Sequence, residues 1–292
     1  MIGDDLEVKT SGISDVGLKR EGNEDSFLVD DSLGLYVVCD GMGGHLAGEV
    51  ASQISVEIIR KTFRKWVEEG AGIDEIYGKP DYSLSIEGNY LLGCIRLANH
   101  VVYEMATENK QYHGMGTTVV IVLVTHDLII TANVGDSRIY LIRDSMVEGL
   151  SKDHTIVAEQ VEMGMMTEEE AATSPMKHIL TRNIGSSEYV VPDIFEIEPA
   201  NNDRFILCSD GLTDLVNEDE ILEMTEEEDT PENLCKRLID VVLDRGAHDN
   251  TTIISIFLSD IRTRKEGIFR KTGFLFADFF NRVQKTIKNI IP

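Results

Sequence analysis

Two β-branched runs, Thr117 to Val124 and Leu128 to Val134, stand only the polar triplet Thr125-His126-Asp127 apart. No other feature limits the fold as tightly. Parallel neighbours need a crossover of a dozen or more residues, so strands this close in sequence must run antiparallel. Ser137 to Arg143 follows directly after Gly135-Asp136, and Asp144-Ser145 turns the chain again, which extends the antiparallel expectation to the next strands. Leu35 to Cys39, Arg204 to Cys208 and Ile253 to Leu258 are further strand candidates, and Asn23-Glu24-Asp25 precedes another.

Helical spacing is equally legible. Leu46, Val50, Ile54, Ile58, Phe63 and Trp66 form one stripe that stops before Gly70, and Leu91, Ile95, Ala98, Val102 and Met105 form a second. Thr230 is placed to cap a helix with Pro231 at its first position, Leu234 and Leu238 inside and Gly246 past its end. Thr167-x-x-Glu170 and Asn217-x-x-Glu220 have the form of capping boxes. The region 71–90, rich in Gly, Asp and Tyr, reads as a loop. Helices bunched beside antiparallel meanders predict an α+β fold.

Composition then excludes several roles. With 52 Asp+Glu against 27 Lys+Arg, the formal charge is −25, and so negative a surface repels nucleic-acid backbones. The longest strong apolar run, Val119 to Val124, is far too short for a membrane span. The start, Met1-Ile2-Gly3-Asp4-Asp5, lacks the basic and apolar regions of a signal peptide. The four cysteines, Cys39, Cys94, Cys208 and Cys235, lie far apart without a CxxC, which predicts reduced thiols, no zinc site and a cytoplasmic protein, with Cys39 and Cys208 as core residues. Residues 262–292 carry eight basic and two acidic side chains, a net of +6, so the first 261 residues carry −31. That shift predicts a domain over 1–261 followed by a basic extension over 262–292. Within the extension, Phe276, Phe279, Phe280, Val283, Ile287 and Ile290 recur at helical spacing, predicting an amphipathic helix. Packing on its own core, docking a partner, or contact with an anionic membrane are its three readings.

Certain acids fall where strands end. Asp40 closes Tyr36-Val37-Val38-Cys39 and is followed by Gly41-Met42-Gly43-Gly44, while Asp210 closes Phe205 to Ser209 and is followed by Gly211. Asp136 sits between Gly135 and the next strand, and Asp249-Asn250 precedes Thr251-Thr252-Ile253. Taken singly, each Asp-Gly reads as a turn. Brought together, such carboxylates would repel unless a cation neutralised them, and hard ions such as Mg²⁺ or Mn²⁺ take oxygen ligands.

These segments resemble the metal-dependent serine/threonine protein phosphatases of the PPM type, also called type 2C, in their bacterial form. The resemblance rests on Ser14-Asp15-x-Gly17-x-x-Arg20-x-x-Asn23-Glu24-Asp25-Ser26, Val38-Cys39-Asp40-Gly41-Met42-Gly43-Gly44-His45, Gly114-Met115-Gly116-Thr117-Thr118 and Ala132-Asn133-Val134-Gly135-Asp136-Ser137-Arg138. His178-x-Leu180-Thr181-Arg182-x-x-Gly185, Ser209-Asp210-Gly211-Leu212-Thr213-Asp214 and Asp249-Asn250-Thr251-Thr252 complete it, in family order over ~12–258.

The resemblance implies a four-layer α-β-β-α sandwich of two antiparallel sheets with helices outside each. It implies hydrolysis of phosphoserine and phosphothreonine in proteins by a water bridging two Mn²⁺ or Mg²⁺ ions, without a phospho-enzyme. Asp40 would bridge the ions, Asp210 and Asp249 would hold the first, and the Gly41 carbonyl the second. Glu24 and Asp25 would orient metal-bound waters, and Arg20 would hold the substrate phosphate. Asp136 with Asp210 would form a weaker third metal site, and residues 151–190 a flap beside the active site. Eukaryotic relatives place a histidine two residues after the bridging Asp; here that position is Met42, as in bacterial members, so the general acid is unassigned, with His45 the nearest candidate. The implied partners are phosphorylated proteins and an opposing Ser/Thr kinase, and a monomer is expected. The alternatives are a phosphatase dedicated to one regulator, such as an anti-sigma-factor antagonist recognised through 262–292, and a non-catalytic metal-binding pseudophosphatase.

Overall fold

The computed structural model describes residues 6–43 and 47–260. In chain order the elements are β1 (Glu7–Asp15), β2 (Asp25–Asp30), β3 (Leu35–Met42), α1 (Ala47–Glu69), α2 (Ile86–Glu108), β4 (Gly116–Thr117), β5 (Val119–Val124) and β6 (Ile129–Val134). There follow β7 (Arg138–Arg143), β8 (Met146–Gly149), α3 (Ile156–Glu162), α4 (Glu168–Thr173), β9 (Asp193–Ile197), β10 (Arg204–Cys208), α5 (Asp210–Thr213), α6 (Glu218–Glu227), α7 (Pro231–Asp244) and β11 (Thr251–Ser259). One sheet has the order β1-β11-β10-β7-β8; the other runs β2-β3-β5-β6-β9, with β4 paired to β3. Every pairing is antiparallel.

The apolar runs are nearly continuous because the central strands are buried on both faces, which needs apolar residues at both phases of the alternation. Along β5, Val119, Ile121 and Leu123 face α1 and α2, sharing a cluster with Leu91, Ile95 and Phe63. Val120, Val122 and Val124 instead meet Phe205, Leu207, Ile254 and Ile256 of the opposite sheet. The far face of that sheet, with Ile206, Cys208 and Ile253, packs against Leu234, Leu238 and Val242 of α7. Three apolar layers thus separate four layers of structure, α-β-β-α, and each fully buried aliphatic side chain contributes roughly 1.5–3 kcal/mol.

Local signals account for the element ends. Thr230 accepts a bond from Asn233 N to start α7, and Gly246 follows its end at φ 101°. Both capping boxes form, Thr167 with Glu170 and Asn217 with Glu220. Asp144 and Ser145, at φ 53° and 56°, make the two-residue turn between β7 and β8.

Four expectations are corrected. β6 and β7 do not pair: Gly135-Asp136-Ser137 carries the chain from one sheet to the other. Gly135 adopts φ +110°, and a Cβ there would stand 2.6 Å from Thr118 Cγ2, so the short link turns across the sandwich instead of within a sheet. Second, the inward face of α1 is Ala51, Ser52, Ser55, Ile59, Phe63 and Trp66, with Val50, Ile54 and Ile58 on its flank; small residues let the helix approach β3 closely. Third, α2 begins at Ile86, capped by Ser85, inside the region read as loop, and Ile73–Glu75 adds a short 3₁₀ turn. Fourth, β3 continues through Asp40 to Met42 because Gly41 and Met42 pair with β4. Strands β1 and β9 carry no strong apolar run and were not expected. The amphipathic extension, Leu46 and His45 lie outside the described residues.

Candidate active site

Strand pairing brings the singled-out acids together. Asp25, the first residue of β2, lies directly across from Asp40 in β3. Asp15 at the end of β1 faces Thr251 at the start of β11, which places Asp249 and the loop after β1 at the same end of the molecule. Asp210 opens α5 just beyond β10, with Ser209 as the preceding residue. Asp136 lies on the link between the sheets.

Their effect on one another is large. Asp40 is pushed well above the usual carboxylate range, by burial first and then by Asp25, Asp210, Asp136 and Asp249. Asp25 is raised to about 7, again by burial first; hydrogen bonds from Thr252 and Ser209 oppose the rise, and Asp210 and Asp249 add to it. Asp136 is raised to about 7 by burial, Asp210 and Asp153. Asp25 accepts from Ser209 Oγ at 2.8 Å through Oδ2, while its buried Oδ1 has no hydrogen-bond partner. A convergent set of hard oxygen donors with one orphaned buried oxygen fits divalent cations of the Mg²⁺ or Mn²⁺ type.

Asp136, His178 and Asp210 each offer a ligand atom, all within 4.8 Å of one another. His178 Nδ1 lies 3.4 Å from Asp210 Oδ2 and its Nε2 lies 3.6 Å from Asp214 Oδ2. Hydrogen bonding to Asp210 chiefly holds His178 above its ordinary pKa. Asp214 also binds Lys177 Nζ at 2.9 Å and His248 Nε2 at 3.2 Å, so residues 177–178 are anchored beside the acids.

Backbone contacts hold the framework. Asp40 N donates to Thr118 Oγ1 at 3.0 Å, and its carbonyl accepts from Thr118 N and Thr117 Oγ1. Gly41 N donates to Glu24 O, and a Cβ on Gly41 would stand 2.2 Å from Gly48 O, so α1 packs its first turn where only glycine fits. Arg20 Nη2 donates to Asp249 Oδ2 at 2.6 Å from a half-exposed side chain. Cys39 and Cys208 are buried and free; burial raises the Cys208 thiol to about 12, consistent with core residues and not nucleophiles.

Sequence reasoning quoted Asn250 within the motif Asp249-Asn250-Thr251-Thr252 but gave it no role. Its Oδ1 accepts from Glu24 N at 2.9 Å, and its Nδ2 donates to the carbonyls of Val16 and Gly22 at 2.9 and 3.0 Å. The residue is buried, so these bonds hold the segment that carries Arg20 and Glu24. Asn250→Ala is expected to cost about 2 kcal/mol, by leaving buried groups unpaired. That corresponds to roughly 4–8 °C in melting temperature for a domain of this size. The same variant should raise KM for a phosphorylated peptide, which steady-state kinetics would detect.

Comparison with known proteins gives a consistent picture. The family profile described as "Protein phosphatase 2C" matches residues 11–251. A putative protein phosphatase 2C-type of Streptococcus pyogenes is 35% identical over 252 residues, covering 84% of this chain and 96% of the relative. The crystal structure of serine/threonine phosphatase Stp1 from Staphylococcus aureus superposes with a TM-score of 0.74 at 36% identity, covering 88% of this chain and 96% of that one. The catalytic domain of the serine/threonine protein phosphatase PstP, solved with two manganese ions, gives a TM-score of 0.72 at 31% identity, covering 87% of this chain and 99% of that one.

Proposed function

This chain belongs to the protein phosphatase 2C family, and from that premise we propose how its own residues divide the metal-dependent hydrolysis of phosphoserine and phosphothreonine in proteins. The observation that carries the reading is the crowding of buried acids, in which Asp210 and Asp249 push Asp25 and Asp40 upward and Asp210 pushes Asp136 upward. Stability alone disfavours such a cluster; a site for cations makes sense of it.

In this reading Asp40, Asp210, Asp249 and the Gly41 carbonyl would hold two ions, and Asp136 with Asp210 would hold a weaker third. When bound, the ion pair supplies a water of lowered pKa and a clamp for phosphate charge. Glu24 and Asp25 orient water beside these acids. Arg20 exchanges Asp249 for the substrate phosphate, for which its planar, permanently charged fork is suited. Residues 151–190 act as the flap, and the anchoring of Lys177 and His178 next to Asp210 supports placing it there.

The pseudophosphatase alternative is not favoured, because each expected metal acid is present and the site acids interact. Recognition of one dedicated regulator through 262–292 is not favoured by the comparisons, and its premise lies outside the described residues. Among the described residues no helix is long and apolar enough to cross a membrane. Four unpaired, buried cysteines support a reducing compartment, and we assign the protein to a bacterial cytoplasm, opposite a Ser/Thr kinase in a signalling pathway. We take a monomer as the acting unit.

The test is phosphate release from phosphothreonine and phosphotyrosine peptides by the full chain, with Mn²⁺ added or chelated. Release from phosphothreonine should need added Mn²⁺ and fall to background on chelation, with phosphotyrosine hydrolysed at least ~10-fold more slowly. Binding of Mn²⁺ without release would count against the enzyme and for the binding module.

A further inference from the structure

His154 is fully buried, at the start of the 151–190 segment, and no individual role has been given to it above. Both of its ring nitrogens are engaged. Gly135 N donates to Nδ1 at 3.0 Å, and Nε2 lies 3.2 Å from Asp193 Oδ2. Its backbone is engaged too: His154 N donates to Gly135 O at 2.9 Å, and Thr181 N donates to His154 O at 2.8 Å. Asp193 also accepts from Arg182 Nη1 at 3.0 Å. The imidazole therefore joins the link between the sheets to the start of β9, while the His154 backbone and Asp193 reach the 180–182 segment.

The hydrogen-bond chemistry dictates the tautomer. A backbone N–H only donates, so Nδ1 must accept and the ring proton must sit on Nε2, from which it binds the Asp193 carboxylate. Asp193 is held down to about 2, chiefly by this bond, as an ionised acceptor should be. Gly135 has little freedom of its own, because on its other side it packs against Thr118. Gripped on both its N–H and its C=O by one residue, Gly135 hands a fixed backbone direction to its neighbour Asp136.

We propose that His154 is a positioning residue for Asp136: as the Nε2–H tautomer it clamps Gly135 and, through Asp193, ties the placement of the Asp136 carboxylate beside Asp210 to Arg182 in the 151–190 segment. The proposal rests on the reading that Asp136 and Asp210 share a metal ion. Partners one shell behind metal ligands typically alter affinity 10–100-fold when removed.

Two near-isosteric substitutions separate the halves of the clamp. In His154→Asn the side-chain oxygen falls near the Nδ1 position and still accepts from Gly135. In His154→Gln the amide reaches the Nε2 position and keeps Asp193, but nothing accepts from Gly135. Mn²⁺ titration followed by the electron paramagnetic resonance of free metal counts bound ions without turnover. His154→Gln should weaken the weakest Mn²⁺ site 10–100-fold and leave the tighter ions unchanged, while His154→Asn should stay within about threefold of wild type. Asp136→Asn should lose that ion outright.

Loss of the ion in Asp136→Asn together with wild-type binding in His154→Gln would overturn the proposal alone. An unchanged ion count in Asp136→Asn would sink the metal reading of that pair, and the proposal with it. Equal weakening of all sites in both histidine variants would mean general loosening and also overturns it. If either variant fails to fold, the ¹⁵N shifts of the wild-type imidazole decide: a proton on Nε2 supports the clamp, and a proton on Nδ1 excludes it.

Discussion

Asp40→Asn should lower kcat/KM for a phosphothreonine peptide at least ~10³-fold, a loss of roughly 4 kcal/mol in transition-state stabilisation. The same substitution should make the metal-free protein more stable. Asp40 is the acid that Asp25, Asp210, Asp136 and Asp249 all push upward, so its charge opposes folding without cations. Asparagine has nearly the same shape and leaves the bonds of the Asp40 backbone to Thr117 and Thr118 in place. Removing the charge should therefore raise the melting temperature at pH ~7.5 in chelator. Added Mn²⁺ should then stabilise the variant far less than wild type. Calorimetry with and without metal, alongside the peptide assay, checks both halves. A variant that loses activity and also melts lower in chelator would show that Asp40 serves the fold and not a cation site.

The metal-free protein should also lose stability as pH rises, contrary to the usual behaviour of paired carboxylates. Asp25 and Asp136 are raised to about 7, against an unfolded value near 4. Between these limits the folded state holds protons that the unfolded state has released, so the slope of unfolding free energy with pH is negative. The penalty is absent below about pH 4, grows through the window from 4 to 7, and is fully present above 7. For Asp25 alone a shift of this size is worth on the order of 4 kcal/mol, part of it shared with its neighbours. Chemical denaturation in chelator at pH 5.5 and 8 should show the loss, and Asp25→Asn should show a shallower one. Saturating Mn²⁺ should flatten or reverse the slope, because metal binding favours the deprotonated carboxylates. A metal-free stability that is flat or rising from pH 5.5 to 8 would contradict the crowding of these acids.

What the sequence determined by itself was whatever depends on neighbours a few residues away. Thr230-Pro231 with Gly246 marked the ends of α7, and the Thr167 and Asn217 boxes formed where their spacing placed them, because caps are bonds across three or four residues. The antiparallel pairing of β5 with β6 followed from a link too short for any crossover. The ordered motifs identified the family, and with it the four layers, since family membership compresses long-range information that no local rule holds.

Only the tertiary structure decided the remainder. The stripe on α1 put Val50, Ile54 and Ile58 at the centre of its inward face; they are half-buried against the core, and the smaller Ala51, Ser52 and Ser55 are the fully buried residues of that turn. The link at Gly135 looked like one more hairpin; the inner core between the sheets turned it into a crossing. Asn250 and His154 carried no periodicity or spacing signal, since their partners Gly22, Glu24, Gly135 and Asp193 lie elsewhere in the chain. The convergence of the acids belongs to the same class. Asp25 faces Asp40 through strand register, and Asp249 comes near Arg20 because β1 and β11, at opposite ends of the domain's sequence, are paired. Registers of that kind are set by the burial of whole strand faces, a cooperative property that no short window of sequence contains.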